Sequence, residues 1–273
     1  MVLRHIQPHP QLRQYVDKMW AFESEGRAPQ EDMKLIVPNG SPKLTIPYRN
    51  GVSGSNKDGF RLVKESSIIF IGMCDVPTVV DLENDAPHGN IGIEFSPLGA
   101  YRLFRLRHAE MKNKIFIIDE ILGRSAREIQ EIIANTESVD KKIQILQTFL
   151  IRLLTRSEQD QILDYCIQQI KNSKGMMNVS DLASKTGYST KWIYEKFMEK
   201  VGLSPKSLSS IIRFSQFYEQ WARQPESDFF NKDLRNYFYD QSHFIKDFKR
   251  FTGLSPLKFA ASENEFGRIF YKD

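Results

Sequence analysis

The 273-residue sequence has few of the features that secreted, membrane-embedded or metal-dependent proteins need. Its two cysteines, Cys74 and Cys166, lie 92 positions apart, a spacing that fits neither a zinc site nor a disulfide framework. Hydrophobic runs are short and interrupted by charge, so no segment qualifies as a membrane span. The first residues lack the basic start and apolar middle of a signal peptide. We therefore expect a cytoplasmic protein with reduced thiols and no membrane partner.

Catalytic motifs are equally scarce. His5, His9, His88 and His108 are scattered, and no His-x-His pair of the kind used by a cupin metal site occurs. The sequence contains no glycine-rich phosphate loop and no nucleophile elbow. We expect a protein that is not an enzyme, with no catalytic residues, no metal and no other cofactor.

Charge of one sign does not dominate either half of the chain. The net charge is +4, with 17 basic and 14 acidic residues from residue 160 onward and 21 basic and 20 acidic residues before it. This asymmetry is too small to indicate nucleic-acid binding by itself. A case for nucleic acid must rest on where the charges lie.

A short pattern does occur twice in the last third of the chain. Phe197 is followed five positions later by Gly202-Leu203-Ser204-Pro205, and Phe248 is followed five positions later by Gly253-Leu254-Ser255-Pro256. The same offset of 51 residues pairs Ile193 with Phe244. Each copy predicts an amphipathic helix that ends at glycine, with a proline shortly after it. A repeated helix end indicates a duplicated structural unit.

The first third of the chain shows the alternation typical of strands. Apolar residues spaced by two predict strands at 44–48 and 91–95, and short β-branched runs predict two more at 67–71 and 78–82. The segment Pro38-Asn39-Gly40-Ser41-Pro42 predicts a turn. Residues 50–60 are rich in Gly, Ser, Asn and Lys, and we expect an exposed loop there.

Helical periodicity begins after the strands. Helices are predicted over 101–107, 121–134 and 139–154, and the last has an apolar stripe from Ile143 to Leu154. Such a stripe is usually a packing face, and its functional alternative is a homodimer contact. Residues 155–160 are polar and suggest a boundary between a regulatory domain at 1–157 and a helical domain at 158–273.

The first copy of the repeat has the features of a helix-turn-helix. Asn178 or Ser180 can cap a first helix. Gly187 supplies the turn, and Ser189 caps a second helix that runs to Val201. Ser189 and Thr190 lie at the helix start, where backbone N–H groups favour phosphate. With Ile193 and Phe197 facing inward, the residues that project outward are Lys191, Tyr194, Glu195 and Met198.

The second copy strengthens this interpretation. Asp240 can cap a helix with three inward phenylalanines, and its polar side chains suit a helix that contacts bases and phosphates. Residues 206–222 predict one connecting helix, of about 26 Å at 1.5 Å per residue. A rigid connector of that length can place both second helices in successive turns of one major groove. The projecting residues are Gln241, Ser242, His243, Lys246, Lys249 and Arg250; His243 is equally compatible with an ordinary surface role.

Residues 160–262 resemble the DNA-binding domain of AraC/XylS-type transcription regulators. The resemblance implies an all-α domain with two helix-turn-helix units and a linker helix, which binds double-stranded promoter DNA, acts on RNA polymerase and usually activates transcription. The family's contact positions correspond to Lys191, Tyr194, Glu195, Gln241, Ser242, His243 and Lys246. The resemblance rests on Leu182-Ala183, Gly187, Ser189, Ile193, Phe197, the two Gly-Leu-Ser-Pro segments, Tyr239 to Phe244 and Phe248-Lys249.

The N-terminal part resembles the sensor domain of one branch of the same family. This resemblance implies an α+β domain that senses a small-molecule effector or mediates association. The expected architecture is a small cupin-like β structure followed by helices. The matching stretches are Pro8 to Leu12, Tyr15-Val16, Trp20, Pro38 to Gly40 with Leu44, and Ile91 to Ala100. Aromatic residues that can line an effector pocket, although aromatics in a β domain are more often core, are Trp20, Phe22, Phe70, Phe95 and Tyr101.

Three residues depart from the family pattern. Glu195 occupies a position where the family usually has Arg. Asp233 stands where the second unit expects a small residue, and Tyr237 stands at its turn glycine. These departures support an alternative: a protein-interaction module or antagonist whose DNA-binding domain is partly degenerate.

Overall fold

The structure of the chain, a computed structural model, describes residues 1–26, 34–56, 59–82, 86–154, 160–223, 237–238, 240–262 and 264–271, with only the backbone at 59–61. The described part is rich in strands up to residue 117 and helical beyond it. The expected order, an α+β half followed by an all-α half, is therefore confirmed. None of the described helices combines the length and the apolar character that crossing a membrane requires.

Two antiparallel sheets build the first half. The larger has the strand order β1-β2-β9-β4-β7-β10, and the smaller has the order β3-β8-β5-β6. The strands are β1 (Val2–His5), β2 (Val16–Ser24), β3 (Leu35–Ile36), β4 (Lys43–Arg49), β5 (Val52–Asn56), β6 (Gly59–Val63), β7 (Ile69–Ile71), β8 (Thr78–Leu82), β9 (His88–Phe95) and β10 (Ile115–Ile117). The two strands predicted from apolar spacing are β4 and β9, and the two predicted from β-branched runs are β7 and β8.

The alternation along β4 and β9 determines which face of the larger sheet packs on helices. Leu44 and Ile46 of β4 and Ile91 and Ile93 of β9 are fully buried in one apolar cluster. Because successive side chains point to opposite faces, the residues between them point to the other side of the sheet. That other side faces a cavity, described below.

The prediction of an exposed loop at 50–60 was wrong. Residues 52–63 contain the hairpin strands β5 and β6, and β5 also pairs with β8. The small polar residues of β5 gave no apolar alternation, yet the strand is held by backbone hydrogen bonds on both edges. One of these small residues, Gly54, lies at a crowded position, since a Cβ built on it would be 3.3 Å from the Ile115 side chain.

Helices cover the larger sheet. The prediction of one helix at 101–107 and one at 121–134 was only partly right, because each segment contains a break. In the segment 101–107, Arg105 has φ 57° and ends the helix. In the segment 121–134, Gly123 has φ 60° and separates two helices. The observed helices are α1 (Gly99–Phe104), α2 (His108–Met111), α3 (Asp119–Leu122), α4 (Arg124–Ala134) and α5 (Val139–Leu153). The apolar stripe of α5 lies in the sheet's core, with Ile143, Leu146, Phe149 and Leu150 buried.

The second half begins after residues 155–159, the predicted boundary, which lie outside the described residues; a division at 157/158 stays a prediction. Its helices are α6 (Gln161–Asn172), α7 (Val179–Thr186), α8 (Thr190–Lys200), α9 (Pro205–Arg223), α10 (Gln241–Thr252), α11 (Pro256–Ala260) and α12 (Glu265–Ile269). The predicted linker helix is α9, with 19 residues. Asp233, Tyr239 and the first helix expected for the second unit lie outside the described residues.

The two halves share apolar packing. Leu35, Val37, Met73 and Leu98 of the first half belong to the same buried cluster as the helices of the second half. Charged pairs reinforce the contact, since Lys171 Nζ lies 3.0 Å from Asp17 Oδ2. The helical half is therefore packed directly against the β-rich half.

Candidate nucleic-acid interface

Helix α8 has the construction that a recognition helix requires. The Ser189 hydroxyl accepts a hydrogen bond from the Trp192 N–H at 3.1 Å, so the predicted cap is confirmed. Gly187, with φ 75°, ends α7 and forms the turn. Ile193 and Phe197 are fully buried and fix the helix to the core. The expected contact residues are all exposed: Ser189, Thr190, Lys191, Tyr194 and Glu195.

Helix α10 repeats this construction. Asp240 accepts a hydrogen bond from the His243 N–H at 2.7 Å, as predicted for its cap. Phe244, Phe248 and Phe251 are buried, and the latter two are completely so. Gly253, with φ 79°, ends the helix. The expected contact residues Gln241, Ser242, Lys246 and Arg250 are exposed, and His243 is half-buried.

The two helices are connected through α9. Helix α8 and helix α10 each contact α9, and α10 does so through Phe214 and Phe217. A 19-residue helix is about 28 Å long at 1.5 Å per residue. Tyr237, which replaces the expected turn glycine, is buried with its ring centroid 6.2 Å from that of Phe217. This position therefore contributes packing to the second unit.

Two polar side chains on α8 and α10 have carboxylate neighbours. Lys191 Nζ lies 3.9 Å from Glu195 Oε1, and both side chains are largely exposed. His243 Nε2 lies 3.5 Å from Oδ2 of the buried Asp247, which also pairs with Arg213. An exposed pair such as Lys191–Glu195 is weak and breaks easily. Glu195 therefore partly offsets the charge of Lys191 without immobilising it.

Arg250 has a different environment. Its Nη2 lies 2.5 Å from Oδ2 of Asp75, a buried residue of the β-rich half. Lys112 and Asn113 contact the same carboxylate. Burial alone would raise the pKa of Asp75, but hydrogen bonds from Lys112, Asn113 and Arg250 outweigh it and hold that pKa below its usual range. An expected DNA contact is thus engaged within the protein.

A cavity of about 150 Å³ lies between the two sheets. Its walls are mainly aliphatic and aromatic. Its floor has two polar pairs between β4 and β9: Lys43 Nζ lies 3.5 Å from Glu94 Oε1, and the Thr45 hydroxyl donates to Asn90. A mostly apolar cavity with a few fixed polar groups is the usual form of a small-molecule site.

The end of the chain closes one side of this cavity. Phe266 and Phe270 line it, and their rings contact Phe22 and Trp20, with centroids 5.6 and 5.8 Å apart. The Tyr271 hydroxyl donates to the Val37 carbonyl at 2.9 Å. Burial raises the pKa of that phenol well above its usual range. The cavity is therefore bounded by both halves of the chain.

The five predicted pocket aromatics lie in three different places. Trp20 and Phe22 line the cavity. Phe70 and Phe95 lie on the opposite face of the larger sheet, fully buried against α1. Tyr101 lies beside His108, with Lys200 Nζ 5.3 Å from its ring. Placing all five in one pocket was wrong because the alternation of strand residues directs Phe70 and Phe95 to the helix-covered side.

Sequence reasoning missed the polar residues of the cavity and the residues that join the halves. Asp75 and Lys43 lie in no motif, the role of Glu94 was not recognised, and Phe266 and Phe270 follow the last recognised pattern. The available signal was weak: charged residues within short strands such as β4 and β9 indicate a polar inner face. Within the described residues, no three His, Cys, Asp or Glu side chains come close enough to hold a metal ion.

Comparisons with known proteins give distant similarities. A family model described as a domain of unknown function, DUF6597, matches residues 4–116. No curated protein matches. Solved structures similar to the chain include ToxT from Vibrio cholerae O395, with 14% identity, TM-score 0.47 and coverage of 91% of this chain and 98% of that one. Another is ToxT from Vibrio cholerae strain SCE256 bound to an unsaturated fatty acid, with 12% identity, TM-score 0.47 and coverage of 90% and 95%.

A third similar structure is that of CuxR, with 13% identity, TM-score 0.23 and coverage of 75% of this chain and 74% of that one. CuxR is an AraC-like transcriptional activator.

Proposed function

We propose that this chain is a sequence-specific DNA-binding transcription regulator. The observation that supports it best is the duplicated helix: α8 and α10 are each capped by a side chain, anchored by buried apolar residues, followed by glycine and exposed on a polar face. Two such helices on one connecting helix suit two successive contacts with a major groove.

The exposed residues suit distinct roles on DNA. Lys191 and Lys246 are cations without a buried constraint, which suits phosphate contact. Gln241, in the first turn of α10, can pair with adenine. Ser189 and Thr190 lie where the backbone N–H groups of α8 favour phosphate. Glu195, which stands where the family usually has Arg, can accept a hydrogen bond from the N4 amino group of cytosine.

The β-rich half, residues 1–157 in our proposed division, supplies regulation. The cavity between the sheets suits a small, largely apolar effector with a hydrogen-bonding group for the Lys43–Glu94 or Thr45–Asn90 pair. Activation through RNA polymerase and homodimer formation are the further roles that the AraC-type resemblance implies. A cytoplasmic location follows from the same role.

Selection of bound duplexes from a random pool by the full-length protein tests the proposal. Enrichment of a defined site is expected, and its affinity should fall steeply as salt rises, because phosphate contacts release counterions. Lys191→Ala and Lys246→Ala should each weaken binding and each reduce the salt slope by about 1. Lys196→Ala is the matched control, since Lys196 lies on the same helix but pairs with Glu199 at 2.8 Å.

The second candidate is a protein-interaction module with a reduced capacity for DNA. The engagement of Arg250 by Asp75 favours it, as does Glu195 beside Lys191. This candidate predicts no enriched duplex and little binding at any salt concentration. Enrichment with a steep salt dependence would exclude it.

A further inference from the structure

Arg250 is shared between two tasks that exclude each other. It is exposed on the last turn of α10, where it can reach DNA, yet its guanidinium lies 2.5 Å from the Asp75 carboxylate, 175 residues earlier in the chain. The Asp75 side chain is 6% exposed, while that of Arg250 is 41% exposed. A guanidinium bound to a buried carboxylate is not available to a phosphate or a guanine.

Asp75 is held in place independently of Arg250. The Asn113 amide donates to its Oδ1 at 2.9 Å, and the Asp75 N–H donates back to the Asn113 side-chain oxygen at 3.0 Å. Lys112 Nζ lies 2.8 Å from Oδ2. Because Lys112 remains as a counterion, Asp75 keeps a partner when Arg250 leaves. Departure of Arg250 therefore does not strand an unpaired buried charge, whose cost would be prohibitive.

The segment that bears Asp75 also forms a wall of the cavity. Its two neighbours, Cys74 and Val76, line the cavity, while the Asp75 side chain points to α10. Asn113, which fixes Asp75, is followed closely by Ile115, another cavity-lining residue. An occupant that displaces this wall must also displace the carboxylate.

We propose that Asp75 and Arg250 form a latch that withholds Arg250 from DNA until the cavity wall moves. This inference rests on the proposed function, since it assigns a regulatory state to the same DNA-binding helices. In the latched state Arg250 neutralises Asp75 and contributes nothing to DNA. In the released state Lys112 is the one cation of this pair that stays beside Asp75, and Arg250 contacts the duplex.

A variant set in the full-length chain tests the latch. Asp75→Asn keeps the size of the side chain and an acceptor for Asn113, but it removes the charge that attracts Arg250. Affinity for the selected duplex should rise by a factor within the usual range of allosteric coupling, about 5 to 150. The same substitution in an Arg250→Gln background should change nothing. Asp17→Asn is the matched control, because it breaks the Lys171 pair between the halves without touching α10.

A second variant moves affinity in the opposite direction. Lys112→Met leaves Asp75 with Arg250 as its remaining cation, so the latch tightens and DNA affinity should fall. This effect too should vanish in the Arg250→Gln background. A destabilising substitution would not raise affinity in one variant and lower it in the other, and melting curves verify that each variant is folded. Lys112→Met keeps the test decisive if Asp75→Asn does not fold.

The outcomes separate the two proposals. If the wild-type chain binds a duplex but neither variant changes its affinity, or if the changes persist without Arg250, the latch is wrong and the DNA-binding function stands. If neither the wild-type chain nor Asp75→Asn binds any duplex from the pool at low salt, the proposed function fails and the latch fails with it. Opposite shifts that depend on Arg250 establish the latch.

Discussion

Gly202 faces the backbone of His108 at the contact between the two halves. A Cβ built on Gly202 would lie 2.6 Å from the His108 carbonyl oxygen, and the glycine has φ 83°. The glycine that follows α8 is therefore also the point where this helix meets α2. The repeated Gly-Leu-Ser-Pro segment serves helix termination in both copies, and in the first copy it also permits this close approach.

Gly202→Ala should destabilise the protein more than Gly187→Ala. Both glycines have positive φ, which costs an alanine about 1 kcal/mol. Only Gly202 also meets backbone, because nothing lies within 4 Å of a Cβ at Gly187. Overpacking against backbone adds about 1–3 kcal/mol. Urea unfolding of the two variants measures the difference, and equal losses would show that the contact with His108 is not tight.

Phe197→Ala and Phe248→Ala should each cost about 3–5 kcal/mol of unfolding free energy, because both side chains are completely buried and each leaves a cavity. Leu257→Ala is the control on the same half of the chain. Leu257 is 85% exposed, and its truncation should change stability by less than about 0.5 kcal/mol. Thermal and urea denaturation give these values. A tolerated Phe248→Ala would mean that the buried face of α10 is assigned wrongly.

His108 should make stability fall as the solution is acidified from pH 7.5 to pH 5. Burial among Phe70, Tyr101 and α8 lowers its pKa to about 4, so the folded state stays neutral where the unfolded state takes up a proton. Because the unfolded state binds more protons in this window, stability is present above about pH 6.5 and is lost toward pH 4. The expected loss by pH 5 is about 2 kcal/mol. Urea midpoints at the two pH values measure it.

His108→Phe should remove most of this pH dependence, and the control His5→Gln, at an exposed position, should retain it. An unchanged slope in His108→Phe would show that other groups cause the loss.

The two thiols should react at very different rates in the folded protein. Cys166 is fully buried, and burial raises the pKa of its thiol to about 11, whereas Cys74 is half-buried at the cavity wall. Since the thiolate is the reactive form, iodoacetamide at pH 8 should modify Cys74 and leave Cys166 intact. Mass spectrometry of peptides locates the label. Urea should abolish the difference; rapid labelling of Cys166 without urea would contradict its burial.

The sequence was sufficient to predict those structural features that depend on residues close together in the chain. The caps at Ser189 and Asp240, the turn at Gly187 and the helix ends at Gly202 and Gly253 are local features, and each was predicted from a few residues. The linker helix α9 followed from its periodicity. The strands β4 and β9 followed from alternation, which the buried Leu44 and Ile91 confirm.

Long-range contacts were beyond the sequence. Strand β5 forms from small polar residues because β6 and β8 supply hydrogen bonds on both of its edges, which no local pattern shows. Phe70 and Phe95 were assigned to the pocket although they lie in the core, because residue type alone does not show which face of the sheet a side chain points to. The contact of Asp75 with Arg250 joins segments 175 residues apart, and nothing in either segment indicates the other.

Hydroxyl-radical footprinting of the full-length protein on its selected duplex tests the central claim most directly. Two helices fixed to one connecting helix should protect two stretches of backbone on the same face, with centres about 10 base pairs apart. Lys191→Ala should weaken one stretch and Lys246→Ala the other. A single protected stretch that responds to only one substitution, or no protection at all, would contradict the account.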